Sequence, residues 1–265
     1  AYLKAANAES GDVFGDALAL AGETLVIGAS GEDGNGSSPA DNSAAAAGAA
    51  YVFIRAGTTW SQQGYLKAAN AGIGDEFGGS VAISADTSVV GARYEDSNGS
   101  SPADNSANGS GAAYVFVRSS AAQRAPGAPV WSQQGYLKAA NADSSDIFGD
   151  AVAIAGATVV VGAPFEDANG SGPADNSAEY AGAAYVFVRT GSAWIQQAYL
   201  KPSNTESNDT FGASVAIDSA TLLVGAPGED SNGSSPADNS AAAAGATYVL
   251  ELRPITTYLP LVLRP

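Results

Sequence analysis

The chain has 265 residues, a net charge of −16 and no Cys, Met or His. This charge argues against nucleic acid and anionic membranes as partners, since both are bound by clustered Lys and Arg. The missing Cys excludes disulfides and thiolate chemistry, and the missing His removes the commonest general base and metal ligand. No apolar stretch approaches the roughly 20 residues of a membrane-spanning helix.

The start of the chain and its sulfur content predict the compartment. The sequence begins at Ala1 without a Met, which indicates a mature form whose signal peptide has been removed. A chain without oxidisable sulfur suits an oxidising, extracellular setting. Compositional drift is the alternative explanation for the missing sulfur. We therefore expect a secreted or cell-surface protein.

A repeat organises the sequence from end to end. The words YLKAANA, or the related YLKPSNT, each precede an FG pair, and successive copies begin 63, 71 and 63 residues apart. The copies begin at Tyr2, Tyr65, Tyr136 and Tyr199, and the FG pairs at Phe14, Phe77, Phe148 and Phe211. The eight extra residues of the second copy lie in the Pro/Gly-rich connection between Arg118 and Trp131. An insertion confined to one connection predicts a lengthened surface hairpin.

Each repeat contains four runs of strand length. In the third repeat these are FGDAVAIAG, TVVVGA, GAAYVFVR and WIQQAYLK, separated by Gly, Asn, Asp and Ser. The runs are rich in β-branched and aromatic residues, and none has a helical spacing of apolar positions long enough to predict a helix. The short SAAAAG segments from Ser43 and Ser240 have helix propensity but too few residues to form a helix alone.

Four strands at a fixed period predict an all-β fold, a β-propeller of four four-stranded blades. One blade cannot bury both of its faces, so neighbours must stack on it. A β-solenoid or a row of separate β units is the alternative. We place one domain at residues 1–253 and a tail at residues 254–265. The predicted blades cover residues 12–67, 75–138, 146–201, and 209–253 together with 1–5.

Two linked motifs in each repeat resemble a known family. DVFG, DEFG, DIFG and DTFG are followed by VIGAS, VVGAR, VVGAP and LVGAP at a matched spacing. This pattern resembles the FG-GAP repeat of integrin α-subunit heads and bacterial surface proteins. The resemblance implies propeller blades and an extracellular role in adhesion or display. Calcium-binding blades of that family carry a DxDxDG-like loop before the GAP strand, and here LAGET, SADTS, IAGAT and DSATL stand in its place.

Two segments compete for the outer strand of the last blade. Residues 1–5 (AYLKA) match the outer strand of the other repeats, and pairing them with TYVLEL would latch the ring. The tail 254–265 also aligns with that strand, with one residue of slip. Whichever segment is displaced becomes a spare apolar strand. It either packs on its own domain or adds to the sheet of a second copy, and head-to-tail addition that does not close gives a fibre.

The loop between the second and third strands is acidic in every repeat, as in GEDGNGSSPADNS. Asp and Asn oxygens two residues apart, beside Gly, suit Ca²⁺, which takes six to eight oxygen ligands. Solvated turns held by Asx hydrogen bonds are the alternative. The candidate calcium ligands are Asp33, Asn35, Asp41, Asp96, Asn98, Asp104, Asp167, Asn169, Asp175, Asp230, Asn232 and Asp238. The same loops carry Glu32, Glu95, Glu166 and Glu229, and all four loops are expected to emerge on one face of the ring.

Other repeated residues suggest further roles. Asn35, Asn98, Asn169 and Asn232 each begin an NGS triplet, a candidate glycosylation site in a secreted protein. Each FG pair follows an Asp by two residues, and these carboxylates are expected to accept backbone N–H bonds in the turn, with a place beside the same cation as the alternative. They are Asp12, Asp75, Asp146 and Asp209. The tryptophans at the start of the outer strands are expected to cover blade edges, with sugar stacking at the rim as the alternative. They are Trp60, Trp131 and Trp194.

The repeated pattern favours a non-catalytic protein. An active site is usually singular, whereas these acidic residues recur in every repeat, which is typical of structure or multivalent binding. We therefore expect a secreted or surface structural or adhesion module, with surface proteins or glycans as partners. Two alternatives are a self-assembling filament subunit joined by terminal strand donation and a multivalent, calcium-dependent carbohydrate-binding protein.

Overall fold

The computed structural model describes residues 1–119, 130–172, 175–236 and 238–252. These residues form β-strands joined by turns, with no helix that could cross a membrane. The strands are β1 (Leu18–Ala21), β2 (Thr24–Ala29), β3 (Ala49–Ala56), β4 (Thr59–Leu66), β5 (Ser80–Ser84), β6 (Thr87–Ala92), β7 (Ala112–Arg118), β8 (Trp131–Leu137), β9 (Ala151–Ala155), β10 (Thr158–Ala163), β11 (Ala183–Thr190), β12 (Ala193–Leu200), β13 (Ser214–Asp218), β14 (Thr221–Ala226) and β15 (Ala246–Glu251).

The strands form four antiparallel sheets, one for each repeat. Strands β1–β4, β5–β8 and β9–β12 each make a four-stranded sheet in chain order, and β13–β15 make a three-stranded one. We call these sheets blades 1 to 4. The predicted all-β fold with one propeller blade per repeat is confirmed. The eight extra residues fall between β7 and β8 as predicted, although residues 120–129 lie outside the described part.

Neighbouring blades bury each other's faces. Val26 and Val52 of blade 1 pack in one cluster with Val90, Tyr114 and Phe116 of blade 2. Equivalent clusters join blade 2 to blade 3 and blade 3 to blade 4. The third strand of each inner blade is therefore covered on both sides, which explains its near-continuous apolar sequence. Trp131 belongs to the first cluster and is buried against the neighbouring blade, as expected for an edge-covering residue.

The FG and GA motifs are the places where the backbones of adjacent blades touch. A Cβ added to Gly91 of blade 2 would lie 2.0 Å from the carbonyl oxygen of Gly149 in blade 3. The Phe77 turn of blade 2 also donates three backbone hydrogen bonds to blade 1. Gly74, Glu76 and Phe77 N–H bind the carbonyls of residues 45, 46 and 47 at 2.9, 3.0 and 3.1 Å. Only Gly allows this approach, so the two motifs recur together.

In the described part of the chain, the first and last blades do not pack on each other as neighbouring blades do. The inner strands pack in order, β1 on β5, β5 on β9 and β9 on β13, whereas β1 and β13 form no comparable contact. Leu223 and Val249 of blade 4 are 39% and 65% exposed, and Leu18 and Leu20 of blade 1 are 65% and 64% exposed. The residues that match Leu223 and Val249 in the other blades are fully buried, namely Val26, Val52, Val89, Val115, Val160 and Val186. Within the described residues, the four blades therefore form an array whose two end faces are not covered by another blade.

The latch predicted between residues 1–5 and the TYVLEL strand is corrected by the structure. Residues 1–5 form no strand, and β15 pairs only with β14 among the described residues. Ala5 is instead buried in the core of blade 1, and Ala6 N–H binds Gln62 Oε1 at 2.9 Å. Ala69 binds Gln133 of blade 2 in the same way, at 3.0 Å. Because these contacts hold the segment on blade 1, it does not reach blade 4. The competing tail, 254–265, lies outside the described residues.

Candidate functional site

The acidic loops join the second and third strands of every blade. Because the topology and register are the same in each blade, the four loops leave the sheets at the same edge of the array. Each loop also contacts the FG turn of the following blade where one is present. The candidate site is therefore a row of four equivalent loops along one edge.

The first Asp of each loop stabilises a left-handed turn. Asp33 Oδ1 accepts the Ala46 N–H at 2.8 Å, and Ala46 has a φ of 49°. Asp167 does the same for Tyr180, at 2.8 Å with a φ of 55°. Residues other than Gly adopt this conformation at a cost, which the hydrogen bond helps to offset. The matching acceptors Asp96 and Asp230 serve Gly109 and Ala243.

The exposed tip of each loop is held by its own side chains. Asn35 Oδ1 accepts the Ser37 N–H at 2.8 Å, an Asx turn, while its Nδ2 donates to Ser43 Oγ at 2.8 Å. Asp41 Oδ2 accepts the Asn35 N–H and the Ser43 Oγ–H, both at 3.0 Å. These bonds hold the pKa of Asp41 below its usual range, with the Asn35 N–H the largest cause. The Asn–Ser bond recurs at Asn98, Asn169 and Asn232.

The predicted calcium ligands are thus brought together in part. Asn35 and Asp41 are neighbours at the tip, whereas Asp33 binds the Ala46 amide at the base of the loop. Within the described ranges, no three acidic side chains gather into a group that would hold a metal ion. Calcium binding and glycosylation at the four NGS triplets stay predictions from the sequence.

The Glu residues that precede the first Asp of each loop are buried. Glu95 is 2% exposed and accepts hydrogen bonds from Asn70, Ser97 N–H and Tyr136. Lys138 Nζ lies 2.8 Å from Glu95 Oε2, and both side chains are buried. Glu32 pairs with Tyr65 and Lys67, and Glu166 with Tyr199 and Lys201. The loop of each of these blades is therefore anchored by a buried carboxylate that binds the Tyr and Lys of the YLK word.

Burial changes the titration of these anchors. It raises the pKa of Tyr199, helped by the adjacent charge of Glu166. It also lowers the pKa of Lys138, although Glu95 opposes that effect. A Lys held this close to a carboxylate stays paired at neutral pH. The recurring YLK motif is the sequence signal for this site. That the partner Glu is buried is evident only from its contacts in the folded structure.

Blade 4 lacks half of this anchor. Glu229 is 3% exposed and binds Asn204, Ser231 N–H and Ser231 Oγ at 3.1, 3.1 and 2.9 Å. No Tyr or Lys of the described residues contacts it, since blade 4 has no outer strand there. The residues that would supply these partners by repeat position are Tyr2 and Lys4, and both are exposed.

The Asp two residues before each FG accepts a backbone bond, as predicted. Asp75 Oδ2 binds the Gly72 N–H at 2.7 Å, and Asp146 Oδ2 binds the Asp143 N–H at 2.9 Å. Burial raises the pKa of Asp75 to about 6 and that of Asp146 to about 8. These carboxylates therefore take up protons near neutral pH while the protein is folded.

We expect the protein to become more stable on acidification from pH 8 to pH 5. The folded pKa of Asp146 lies above the unfolded value of about 3.9, so the folded chain holds a proton that the unfolded chain has lost. This stabilisation is complete below about pH 4 and is lost as the pH rises through about 8. Thermal melts across this range measure it.

The Asp146→Asn variant tests the assignment, because Asn keeps an acceptor for the Asp143 N–H but does not titrate. Its melting temperature should depend less on pH than that of the parent. Glu179→Gln removes an exposed carboxylate as the control. Equal pH dependence in both variants would contradict the role given to Asp146.

The fold and its loops define a β-propeller repeat protein built from near-identical blades. The FG-GAP repeat profile matches residues 1–53, 60–116, 131–187 and 194–250, and the chain belongs to the FG-GAP repeat family. A search of curated protein sequences gives no significant match.

Three solved structures show a more distant likeness. The computationally designed Ika4 protein is 11% identical with a TM-score of 0.46, over 92% of this chain and 94% of Ika4. Sqt1 of Saccharomyces cerevisiae is 10% identical with a TM-score of 0.42, over 84% of this chain and 44% of Sqt1. The endosialidase of phage phi92 is 12% identical with a TM-score of 0.40, over 94% of this chain and 37% of the endosialidase. The family assignment rests on the repeat match alone.

Proposed function

We propose that this chain is a non-catalytic structural or adhesion module of a secreted or cell-surface protein. The observation that carries the proposal is the row of four equivalent loops, each with an exposed Asn–Ser–Asp tip on a base fixed by Asp33 or its repeats. Four copies of one geometry on one edge suit multivalent contact with surface proteins or glycans. FG-GAP repeats are typical of extracellular proteins, which supports this location.

Binding to glycan and surface-protein arrays tests the proposal. Variants that replace the tip Ser residues by Ala in one, two or all four loops should lose binding in steps, because avidity depends on the number of intact loops. The control replaces Ser61 and Ser132, which lie on outer strands away from the loops. Binding that survives substitution of all four loops, or that is lost only in the control, would contradict a binding role for the loops. Cleavage of an arrayed glycan, detected by mass spectrometry, would contradict a non-catalytic function.

Calcium at the loop tips is a separate prediction. A bound cation stabilises the folded state by an amount that grows with its concentration, so millimolar calcium should raise the melting temperature and a chelator should reverse the rise. An Asp41→Asn variant should reduce the shift. The competing account is that Asp41 is occupied by the Asn35 N–H and Ser43 Oγ–H. An unchanged melting curve would favour that account and contradict calcium binding.

A second candidate function is that of a self-assembling extracellular subunit. The two uncovered end faces favour it, because Leu223 and Val249 on one end and Leu18 and Leu20 on the other are exposed at positions suited to blade packing. Large exposed apolar patches are typical of protein–protein contacts. Light scattering over a range of concentrations, with electron microscopy of the same samples, should reveal rings or filaments. A particle of one-chain mass at every concentration would contradict this function.

A further inference from the structure

Both end faces of the blade array expose apolar residues, Leu18 and Leu20 on blade 1 and Leu223 and Val249 on blade 4. We propose that blade 1 of a second copy of this chain packs on blade 4, and that Tyr2–Lys4 of that copy complete the three-stranded sheet of blade 4. This inference rests on the assembly function proposed above and names the residues of the joint.

The backbone groups needed for the joint are present on both faces. At each inner interface the FG turn of one blade donates three N–H bonds to the loop of the preceding blade. Phe148 N–H binds the carbonyl of Ser110 at 3.0 Å, and Phe211 N–H binds that of Ala181 at 3.0 Å. By repeat position the free donors are the N–H groups of residues 11, 13 and 14, and the free acceptors are the carbonyls of residues 242, 243 and 244. Neither set makes these bonds within the described part of the chain.

A hollow on blade 4 lies where the FG turn of a following blade would dock. It has a volume of about 470 Å³ and is lined by Gly225, Ala226, Gly245 and Ala246, among others. At the inner interfaces the matching residues are covered by the next FG turn. A Cβ on Gly162 would lie 1.9 Å from the carbonyl oxygen of Gly212, for example. The matching turn of blade 1, at Gly15, has open space around it.

The buried carboxylate of blade 4 lacks the partners that this joint would supply. Glu229 is 3% exposed, but among the described residues it has neither the Tyr nor the Lys that binds Glu32, Glu95 and Glu166 in the other blades. Tyr2 is 86% exposed, and Lys4 is also exposed. Adding Tyr2–Lys4 as a fourth strand would place the Tyr hydroxyl and the Lys ammonium on Glu229, which would compensate a buried charge.

The expected register follows from blade 1. There Tyr65 lies opposite Tyr51, and Leu66 lies opposite Ala50. The same pairing places Tyr2 opposite Tyr248 and Leu3 opposite Thr247. Backbone bonds along this edge would add to the side-chain contacts, as in other cases of strand addition.

Among the described residues, a second copy is the occupant because residues 1–5 of the same chain are held on blade 1. Ala5 is buried in blade 1, Ala6 binds Gln62, and Tyr51 Oη donates to Asn7 Oδ1 at 2.9 Å. The same contacts dock each inner crossover segment on the following blade, so residues 1–4 point to the place of a preceding blade. Since blade 4 of the same chain does not pack on blade 1, that place belongs to blade 4 of another copy.

Disulfide trapping tests the joint directly, because the chain has no Cys of its own. A Leu3→Cys chain mixed with a Thr247→Cys chain should form a disulfide-linked dimer under mild oxidation. Thr190→Cys, on an exposed strand end of blade 3, replaces Thr247→Cys as the control. The doubly substituted chain at high dilution checks for closure within one molecule. Dimers in the mixture above the control level support the joint, whereas an intramolecular disulfide without mixed dimers overturns it.

Charge exchange and steric blocking give a second measurement by analytical ultracentrifugation. Lys4→Glu should weaken association at least about tenfold, and Glu229→Lys should restore part of it when the two variants are mixed. Gly225→Ala should abolish association without unfolding the chain, because its Cβ would occupy the docking place of the Gly15 turn. If the association constant is unchanged by all three substitutions, the proposed interface is wrong, although the chain still self-assembles. A chain that stays monomeric overturns both the interface and the assembly function.

Discussion

Replacing Gly162 by Ala should lower the free energy of unfolding by about 3 kcal/mol, because the new Cβ would lie 1.9 Å from the carbonyl oxygen of Gly212. The next atoms that it meets are also backbone atoms of that turn, at 2.9 and 3.4 Å. No rotamer change relieves such a clash, so blades 3 and 4 must separate. Stability of a repeat array depends on these interfaces. Thermal melts should show a fall of about 6 to 12 °C.

Gly225→Ala is the matched control, since Gly225 holds the same position in blade 4. Its added Cβ would meet the Ser214 hydroxyl at 2.3 Å, the movable end of a side chain, and nothing else within 3.7 Å. In dilute solution its melting temperature should change little. Similar losses in both variants would mean that the cost arises within a single sheet, and would contradict direct backbone contact between blades as the reason for the GA motif.

Much of the fold can be predicted from the sequence because the repeat supplies four versions of each element. The third-repeat runs correspond to β9–β12 with only small differences at their ends. The eight-residue insertion falls between β7 and β8 for the same reason. Insertions are tolerated where a hairpin turn meets solvent, and the aligned repeats show where that is.

Closure of the array could not be predicted in this way. Residues 1–5 have the sequence of an outer strand. Whether they form that strand depends on whether an adjacent blade offers a sheet edge with which they can pair. Ala5 and Ala6 dock on blade 1. Residues 2–4 therefore pair with no sheet of the described chain, although their sequence matches that of an outer strand. A repeated sequence motif predicts which strand of a blade it forms. The number of blades needed to close a ring depends instead on the packing angles between neighbouring sheets, which the motif does not encode.

The candidate loops show a similar limit. GED suggests adjacent exposed carboxylates, but Glu32 points inward and Asp33 binds a backbone amide. The recurring Lys of YLK is the sequence signal for a partner of Glu32, since a buried carboxylate needs a compensating charge. The spacing between Glu32 and Lys67 spans two strands, and only the β3–β4 pairing brings them together.

Lys138→Met should be strongly destabilising, because it leaves Glu95 buried without its counter-ion. Breaking a buried pair by removing one partner costs about 3 to 5 kcal/mol. Lys138 also donates to Ser110 Oγ at 2.7 Å, which adds to the loss. Chemical denaturation at pH 7 measures the effect.

Two further variants separate the charge from the shape of the side chain. The double variant Glu95→Gln with Lys138→Met has no buried charge and should recover more than half of the lost stability, because a neutral pair avoids the desolvation penalty. Arg55→Met breaks the exposed pair with Glu23 and should leave the melting temperature nearly unchanged, as solvent screens that pair. If the double variant is no more stable than Lys138→Met alone, the lysine stabilises the blade through packing of its stem, and the buried ion pair is not the anchor of the loop.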